Sequence, residues 1–229
     1  MLELSKRLNL IASFVNEGSS VCDVGTDHGY LPAFLYLSGR CKSVIATDIN
    51  EKPLLSARKN LERLDADGVR LVLCDGLSDV ACENVDTVII AGMGGEVISG
   101  IIDRAEFLRE RAVSFILQPT TAAKELRQYL AKNGFAIERE QAIIENKKIY
   151  SVMQARFVGV PYKITDTQAL IGILKPDTKA AQEYIKKQYR IAQKCADQLK
   201  MVEHKQDEYN KYLKVSKHLK EILGGKNGF

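Results

Sequence analysis

Histidine is scarce in this 229-residue chain: His28, His204 and His218 are the whole supply. The five cysteines, Cys22, Cys41, Cys74, Cys82 and Cys195, form no CxxC pair and no Cys/His cluster at metal-ligand spacing. A metal site is therefore not expected. Cys22 and Cys74 lie inside apolar, strand-like runs and read as buried thiols. No stretch approaches ~18 uninterrupted apolar residues, so no membrane span is expected. The opening MLELSKRLNLIASF is amphipathic, interrupted by Lys6, Arg7 and Asn9, and lacks the small-residue cleavage site of a secretory signal. The expected compartment is the cytoplasm.

Hydrophobic residues make up 45% of the chain, enough for a sizeable core in one α/β domain with a small appendage. Net charge is +4, but it is unevenly spread. Residues 1–159 carry 19 Lys and Arg against 21 Asp and Glu, whereas residues 160–229 carry 14 against 8. A basic module following a slightly acidic one suggests an anionic partner for the tail; a solvated helical surface is the alternative.

Short apolar runs alternate with helical patterns as far as residue 156. Strands are expected at Val21–Val24, Ser43–Asp48, Val69–Cys74, Thr87–Ala91, Val113–Leu117, Phe135–Gln141 and Tyr150–Phe157. Helices are expected at 29–39, 51–64, 94–110 and 121–133, and the alternation extends the expectation of a following helix to all of the first five strands, the third included. That alternation predicts βαβ units and a parallel sheet covered on both faces. The last two strands, joined only by residues 145–148, should form an antiparallel hairpin at the end of the sheet. The expected fold class is α/β: a Rossmann-like seven-stranded methyltransferase sheet, residues 1–159. After it comes a C-terminal helical domain, residues 160–229. There Thr165–Leu174 reads as a short helix, and a long one follows, capped by Asp177 and running without Gly or Pro to Leu223. Its apolar stripe passes through Ala181, Tyr184, Ile185, Ile191, Cys195 and Leu199, then resumes at Tyr209 and Leu213. A single helix would leave the stripe exposed, so a fold back near Glu203–Asp207 is expected, giving an antiparallel coiled coil.

The chemistry concentrates at strand ends. The segment Val21-Cys22-Asp23-Val24-Gly25-Thr26-Asp27-His28-Gly29 runs from an apolar strand through Asp-x-Gly-x-x-x-Gly into a helix. Glycines let the backbone approach a ligand, but this spacing is not the GxGxxG that cradles a pyrophosphate, which argues against a nicotinamide dinucleotide. A ligand derived from methionine carries no phosphate, and Asp23 can accept from its ammonium group. Asp48, about 20 residues on at the end of the second strand, suits a ribose diol. Asp75, in Cys74-Asp75-Gly76-Leu77, suits the exocyclic amine of adenine, and Ala91-Gly92-Met93-Gly94-Gly95 forms a flexible loop at the strand-order switch point. A single aspartate at a strand end is more often a helix cap; three of them and the glycine-rich loop, four motifs in register at carboxyl ends of strands, predict one ligand cleft. Contacts to S-adenosyl-L-methionine are thus expected from Asp23, Gly25, Thr26, Gly29, Asp48, Ile49, Asp75, Gly76, Ala91, Gly92 and Met93.

Together, VCDVGTDHGYLP, ATDIN, CDGL, IIAGMGG and ILQP closely resemble the bacterial tRNA (adenine-22-N1)-methyltransferase family. The likeness covers the whole sheet domain, its most specific part being Asp-x-Gly-Thr-Asp-His-x-Tyr-x-Pro from Asp23 to Pro32, and the basic tail matches in kind. It implies S-adenosylmethionine as methyl donor and adenine N1 of a tRNA as acceptor. The chain lacks the Asn/Asp-Pro-Pro-Tyr/Phe clamp that many exocyclic-amine methyltransferases carry after strand four, in keeping with a ring nitrogen as target.

Catalytic roles fall to Asp27, His28 and Tyr30. Asp27 can face the positive charge developing on the base, or simply cap the next helix. His28 can hydrogen-bond the adenine or a phosphate, or be a turn residue. Tyr30 can stack on an extruded adenine, or be a core aromatic. Arg7 can meet a phosphate above the cofactor loop, or be a solvated surface cation. Lys186, Lys187, Arg190 and Lys194 form a patch suited to tRNA backbone charge; the same hairpin could instead serve self-association, and a monomer or weak dimer is expected. Two other readings compete: a methyltransferase for another RNA or a small molecule, and a non-catalytic RNA-binding protein with a relic cofactor domain.

Overall fold

The computed structural model describes residues 2–80 and 84–224, so Cys82 lies outside the described residues. Seven strands form one sheet: β1 (Ser19–Val24), β2 (Cys41–Asp48), β3 (Val69–Leu73), β4 (Thr87–Gly94), β5 (Ser114–Thr121), β6 (Phe135–Glu145) and β7 (Lys148–Phe157), in the order 3-2-1-4-5-7-6. The first five are parallel; β7 pairs antiparallel with both β5 and β6. The expected terminal hairpin is present. Its two turn residues, Asn146 and Lys147, both have positive φ (48° and 62°), the twist that a two-residue β-hairpin requires.

Alternation along the strands sorts side chains onto the two faces. Cys22, Val24, Val88 and Ile90 point to one side, under α4 (Gly95–Arg104) and α5 (Ala123–Lys132). Val21, Val44, Ala46 and Ile89 point to the other, against α1 (Lys6–Ala12), α2 (Tyr30–Leu37) and α3 (Glu51–Arg63). Two expectations change here. No α-helix follows β3 among the described residues; only a 3-10 turn, Ser78–Val80, precedes β4. The helix expected over 94–110 ends at Arg104, and a separate 3-10 turn covers Glu106–Glu110. The break at Ala105, whose φ and ψ of −101° and 47° are not helical, buries Ala105 and Leu108 against the sheet.

The tail holds α6 (Asp166–Ile171), α7 (Lys179–Leu199) and α8 (Gln206–Gly224), the last two packed side by side after the expected reversal. Thr165 closes a capping box with Gln168 at the start of α6. Thr178, not Asp177, caps α7: its hydroxyl accepts from the Ala181 N–H at 3.1 Å. The expected stripe holds at Ala181, Tyr184 and Ile185, which are buried, but its Ile191 is 44% exposed, and Ala192 and Ala196, which lie off it, are buried instead. The small side chain of Ala192 packs in one cluster with Val215 and Leu219 of α8.

The tail is anchored by a side chain from the sheet domain. Arg127 of α5, 1% exposed, binds Glu140 of β6 through Nε and Nη2 at 3.1 and 2.6 Å. Its Nη1 donates to the Ala169 and Leu170 carbonyls of α6 at 3.0 and 2.9 Å, and Nη2 reaches Ser151 Oγ and the Tyr184 hydroxyl of α7. Glu140 also accepts from the Ile173 N–H at 3.1 Å. Burial disfavours the cation, but Glu140 and Tyr184 hold it charged. Gly172 has a φ of 61°, and a Cβ there would collide with the Glu140 carboxylate.

Candidate functional site

The carboxyl ends of β1 to β4 open into a cleft of about 580 Å³. Three loops are tied together at its floor by Thr47, a fully buried residue of β2. Its carbonyl accepts from the Gly25 and Thr26 N–H groups at 2.8 and 3.1 Å, and its hydroxyl donates to the Gly76 carbonyl at 3.1 Å. Gly25 and Gly92 adopt φ of 76° and 80°, and a Cβ on Gly25 would strike the Met93 methyl. Those two glycines are required by the turn rather than tolerated in it.

Asp23, 5% exposed, is lifted to about 6 by burial, with the Thr26 hydroxyl pulling the other way. Thr26 Oγ1 is itself buried with no hydrogen-bond partner of good geometry. A buried carboxylate and an orphaned hydroxyl at one wall suit a ligand that brings a cationic donor. Asp48 Oδ1 accepts from the Asn50 N–H at 2.8 Å, and its second oxygen makes no hydrogen bond among the described residues. Asp75, half exposed, pairs with Arg104 at 3.0 Å. Ile49 and Val97, 62% and 55% exposed, leave apolar surface on the cleft lining, suited to a flat ring. The donor set therefore fits S-adenosylmethionine: a carboxylate for an ammonium, a second for a diol, a third for an amine, and apolar walls between.

Asp23, Gly25, Thr26, Asp48, Ile49, Asp75, Gly76, Ala91, Gly92 and Met93 all line this one cleft. Gly29 does not; it packs against Ala57 of α3, 3.0 Å from where a Cβ would stand, and sets how α2 meets α3. Asp27, His28, Tyr30 and Arg7 line the cleft as well. The capping alternative for Asp27 is removed. Gly29, in a left-handed conformation, is the N-cap of α2, and no side chain caps it. Asp27 has a φ of 46°, its side chain is 74% exposed, and Oδ2 lies 3.5 Å from His28 Nε2. His28 is held on its other nitrogen, 3.0 Å from Ser56 Oγ, with its ring 5.9 Å from that of Tyr30. Tyr30 is half-buried beside the α1–α2 core while still facing the cleft.

Arg7 is not a loose surface cation. Its Nη1 donates to Gln118 Oε1 at 2.6 Å, its backbone N–H to Glu145 at 2.9 Å, and its guanidinium lies 6.0 Å over the Tyr150 ring. Burial alone would raise the Glu145 carboxyl, but the Arg7 N–H, the Ser5 hydroxyl and the Arg7 charge hold it below the usual carboxylate range. Gln118, fully buried within β5, also accepts from the Gly92 N–H at 3.2 Å. Arg7, Gln118 and Glu145 thereby join α1, β5 and β6 to the β4 loop. Lys187, Arg190 and Lys194 lie outside the cleft on an exposed face of α7, and Lys186 pairs with Glu183 at 3.2 Å. Among the described residues no cluster of His, Cys, Asp and Glu could hold a metal ion, and no helix is long and apolar enough to cross a membrane.

Residues 4–153 match the model of a methyltransferase domain family. The chain is 33% identical over 155 residues to the tRNA (adenine(22)-N(1))-methyltransferase of Bacillus subtilis, an alignment spanning 67% of this chain and 65% of that relative. It matches a solved structure of the B. subtilis m1A22 tRNA methyltransferase with a TM-score of 0.83 at 26% identity, covering 97% of this chain and 100% of the other. A Streptococcus pneumoniae protein solved in complex with S-adenosyl-L-methionine aligns with a TM-score of 0.77 at 31% identity, over 96% of this chain and 100% of the other.

Proposed function

The chain belongs to the tRNA (adenine-22-N1)-methyltransferase family, and from that premise we propose that it methylates N1 of an adenine in tRNA, using S-adenosyl-L-methionine. The observation that carries this reading is the convergence of Asp23, Asp48 and Asp75, from three successive strand ends, on one cleft with Gly25 and Gly92. We place the reaction in the cytoplasm, with a monomer or weak dimer as the working form.

When bound, S-adenosylmethionine supplies a methyl group on a cationic sulfur, and the rest of the chemistry falls to the protein. Asp23 holds the ammonium end, Asp48 the ribose hydroxyls and Asp75 the adenine amine. Adenine N1 carries an in-plane lone pair, so no proton has to leave it before attack and no general base is needed. The protein's task is alignment, and stabilisation of the positive charge that appears on the base. Asp27, exposed at the mouth, is the carboxylate placed to do this once the base covers it. Tyr30 stacks on the flipped adenine. On α7, Lys187, Arg190 and Lys194 hold tRNA by backbone charge, with Lys186 beside them.

Two measurements test the cofactor half. Asp48→Ala removes the ribose acceptors and should weaken S-adenosylmethionine binding by about 1.5–3 kcal/mol for each charge-assisted hydrogen bond lost. Calorimetry giving wild-type affinity would take Asp48 out of the ribose site. The second concerns pH. Because burial lifts Asp23 from 3.8 to about 6, the free fold retains a proton there that an unfolded chain has lost. Asp23 thus lowers the stability of the free protein as pH rises from about 4 to 6. The ammonium ligand needs the ionised form, so affinity should be flat above about pH 7 and fall by roughly tenfold per pH unit below about 6. Asp23→Asn should abolish the slope; an unchanged slope would place the titrating group elsewhere.

A further inference from the structure

A second groove, about 230 Å³, runs between the β5–α5 connection and α7. We propose that it carries the sugar–phosphate backbone of the tRNA strand flanking the target nucleotide, leading it from the tail to the catalytic cleft; the idea rests on the tRNA-methylating reading above.

The groove has the right ends. Toward the cleft lie Pro119, which follows Gln118 in the chain, and Tyr150, whose ring lies under the guanidinium of the cleft residue Arg7. At the other lie Lys187 and the exposed Ile191 on α7, from which Arg190 and Lys194 continue along the helix. It also has the right walls. Lys124 stands on the α5 side and Lys187 on the α7 side, with Thr120, Thr121 and Gln188 as neutral hydrogen-bonding groups between them. Among the described residues, Glu125 is the only acid in the lining. A lysine from each wall, with hydroxyls and an amide beside them, suits phosphate contacts.

Its floor is rigid. Ser151, Leu170 and Tyr184 line it, and each is a partner of the buried Arg127, so the Arg127–Glu140 pair fixes the distance between the two walls. The near wall is coupled to the cofactor loop, because the Thr120 hydroxyl donates to the Met93 carbonyl at 3.1 Å. A strand seated here therefore leaves the groove beside the loop that borders the methyl donor's cleft. Target bases inside a paired region must be extruded, and a backbone held on one side of the mouth gives the extruded nucleotide a fixed hinge.

The test is charge reversal in the full-length protein. Lys124→Glu with Lys187→Glu is compared with Lys42→Glu plus Lys132→Glu, exposed lysines at the opposite ends of the strands that make the same charge change. Unmodified tRNA binding is measured by filter retention across a salt series, alongside S-adenosylmethionine calorimetry and melting. The groove variant should bind tRNA at least about tenfold more weakly than the control, with a salt slope shallower by roughly one unit per lost phosphate contact. Cofactor affinity and melting temperature should match the control. If the glutamates lower melting, Lys124→Ala with Lys187→Ala gives the same comparison without reversed charge. A groove variant that binds tRNA as tightly as the control, while the wild type methylates it, overturns the groove and leaves the function standing. A wild type that binds tRNA but never methylates it overturns the function, and the binding comparison still decides the groove.

Discussion

Replacing Arg127 with methionine is expected to lower stability by about 3–5 kcal/mol, the range for breaking a buried ion pair and leaving one partner uncompensated. Glu140 would remain fully buried with only the Ile173 N–H to satisfy it, and two carbonyls, a serine and a tyrosine would lose their donor. In a chain of this size the melting temperature should fall by roughly 6–20 °C. Adding Glu140→Leu should recover much of the loss, because a well-packed apolar pair replaces buried ions at little net cost. Calorimetric melting of wild type, single and double variants is sufficient. A single variant melting within a degree or two of wild type would mean that this pair does not fasten the tail. The same network makes deletion of residues 160–229 a poor probe of tRNA binding. It would strip Arg127 of its carbonyl and tyrosine partners and destabilise the sheet domain with it.

Asp27→Asn is expected to slow single-turnover methyl transfer by about a hundredfold to a thousandfold, or ~2.7–4 kcal/mol, while S-adenosylmethionine and tRNA affinities stay close to wild type. The carboxylate interacts weakly with neutral adenine and strongly with the cation that forms, so its loss appears in turnover rather than in binding. Solvent screens a side chain that is 74% exposed, and the effect depends on the bound base excluding that water. Asparagine is the right replacement because it keeps the shape and tolerates the positive φ at this position. Melting should barely move, since Asp27 caps nothing. Normal chemistry in the folded variant would sink the catalytic assignment.

The cofactor cleft was legible because its residues announce themselves locally. An apolar run ending in Asp23 and then Gly25, or in Asp48, or in Cys74-Asp75-Gly76, marks a strand end that must turn near a ligand. The parts held by contacts between distant residues were not legible. Arg127 and Glu140 sit in an ordinary helical segment and an ordinary alternating strand, and no local pattern says that both are fully buried. Gln118 and Glu145 position Arg7 from 111 and 138 residues away. The hints for Gln118 are its place in the ILQP motif and a polar residue closing the apolar run before Pro119. Thr47 lies inside a segment whose local signal is Asp48 and the Ile49 beside it. On α7, hydrophobicity favoured Ile191 over Ala192, whereas close packing against α8 favours the smaller side chain. The helix expected after β3, which the described residues do not contain, follows from the alternation of the neighbouring units and has no periodic segment of its own.

The most direct test of the central claim is incubation of the purified protein with unmodified bulk tRNA and methyl-labelled S-adenosylmethionine, followed by digestion and nucleoside analysis. Label should appear as 1-methyladenosine, mapping to position 22 when single tRNAs are sequenced. Label in a different nucleoside, or no label from a protein that binds S-adenosylmethionine and tRNA normally, would contradict it.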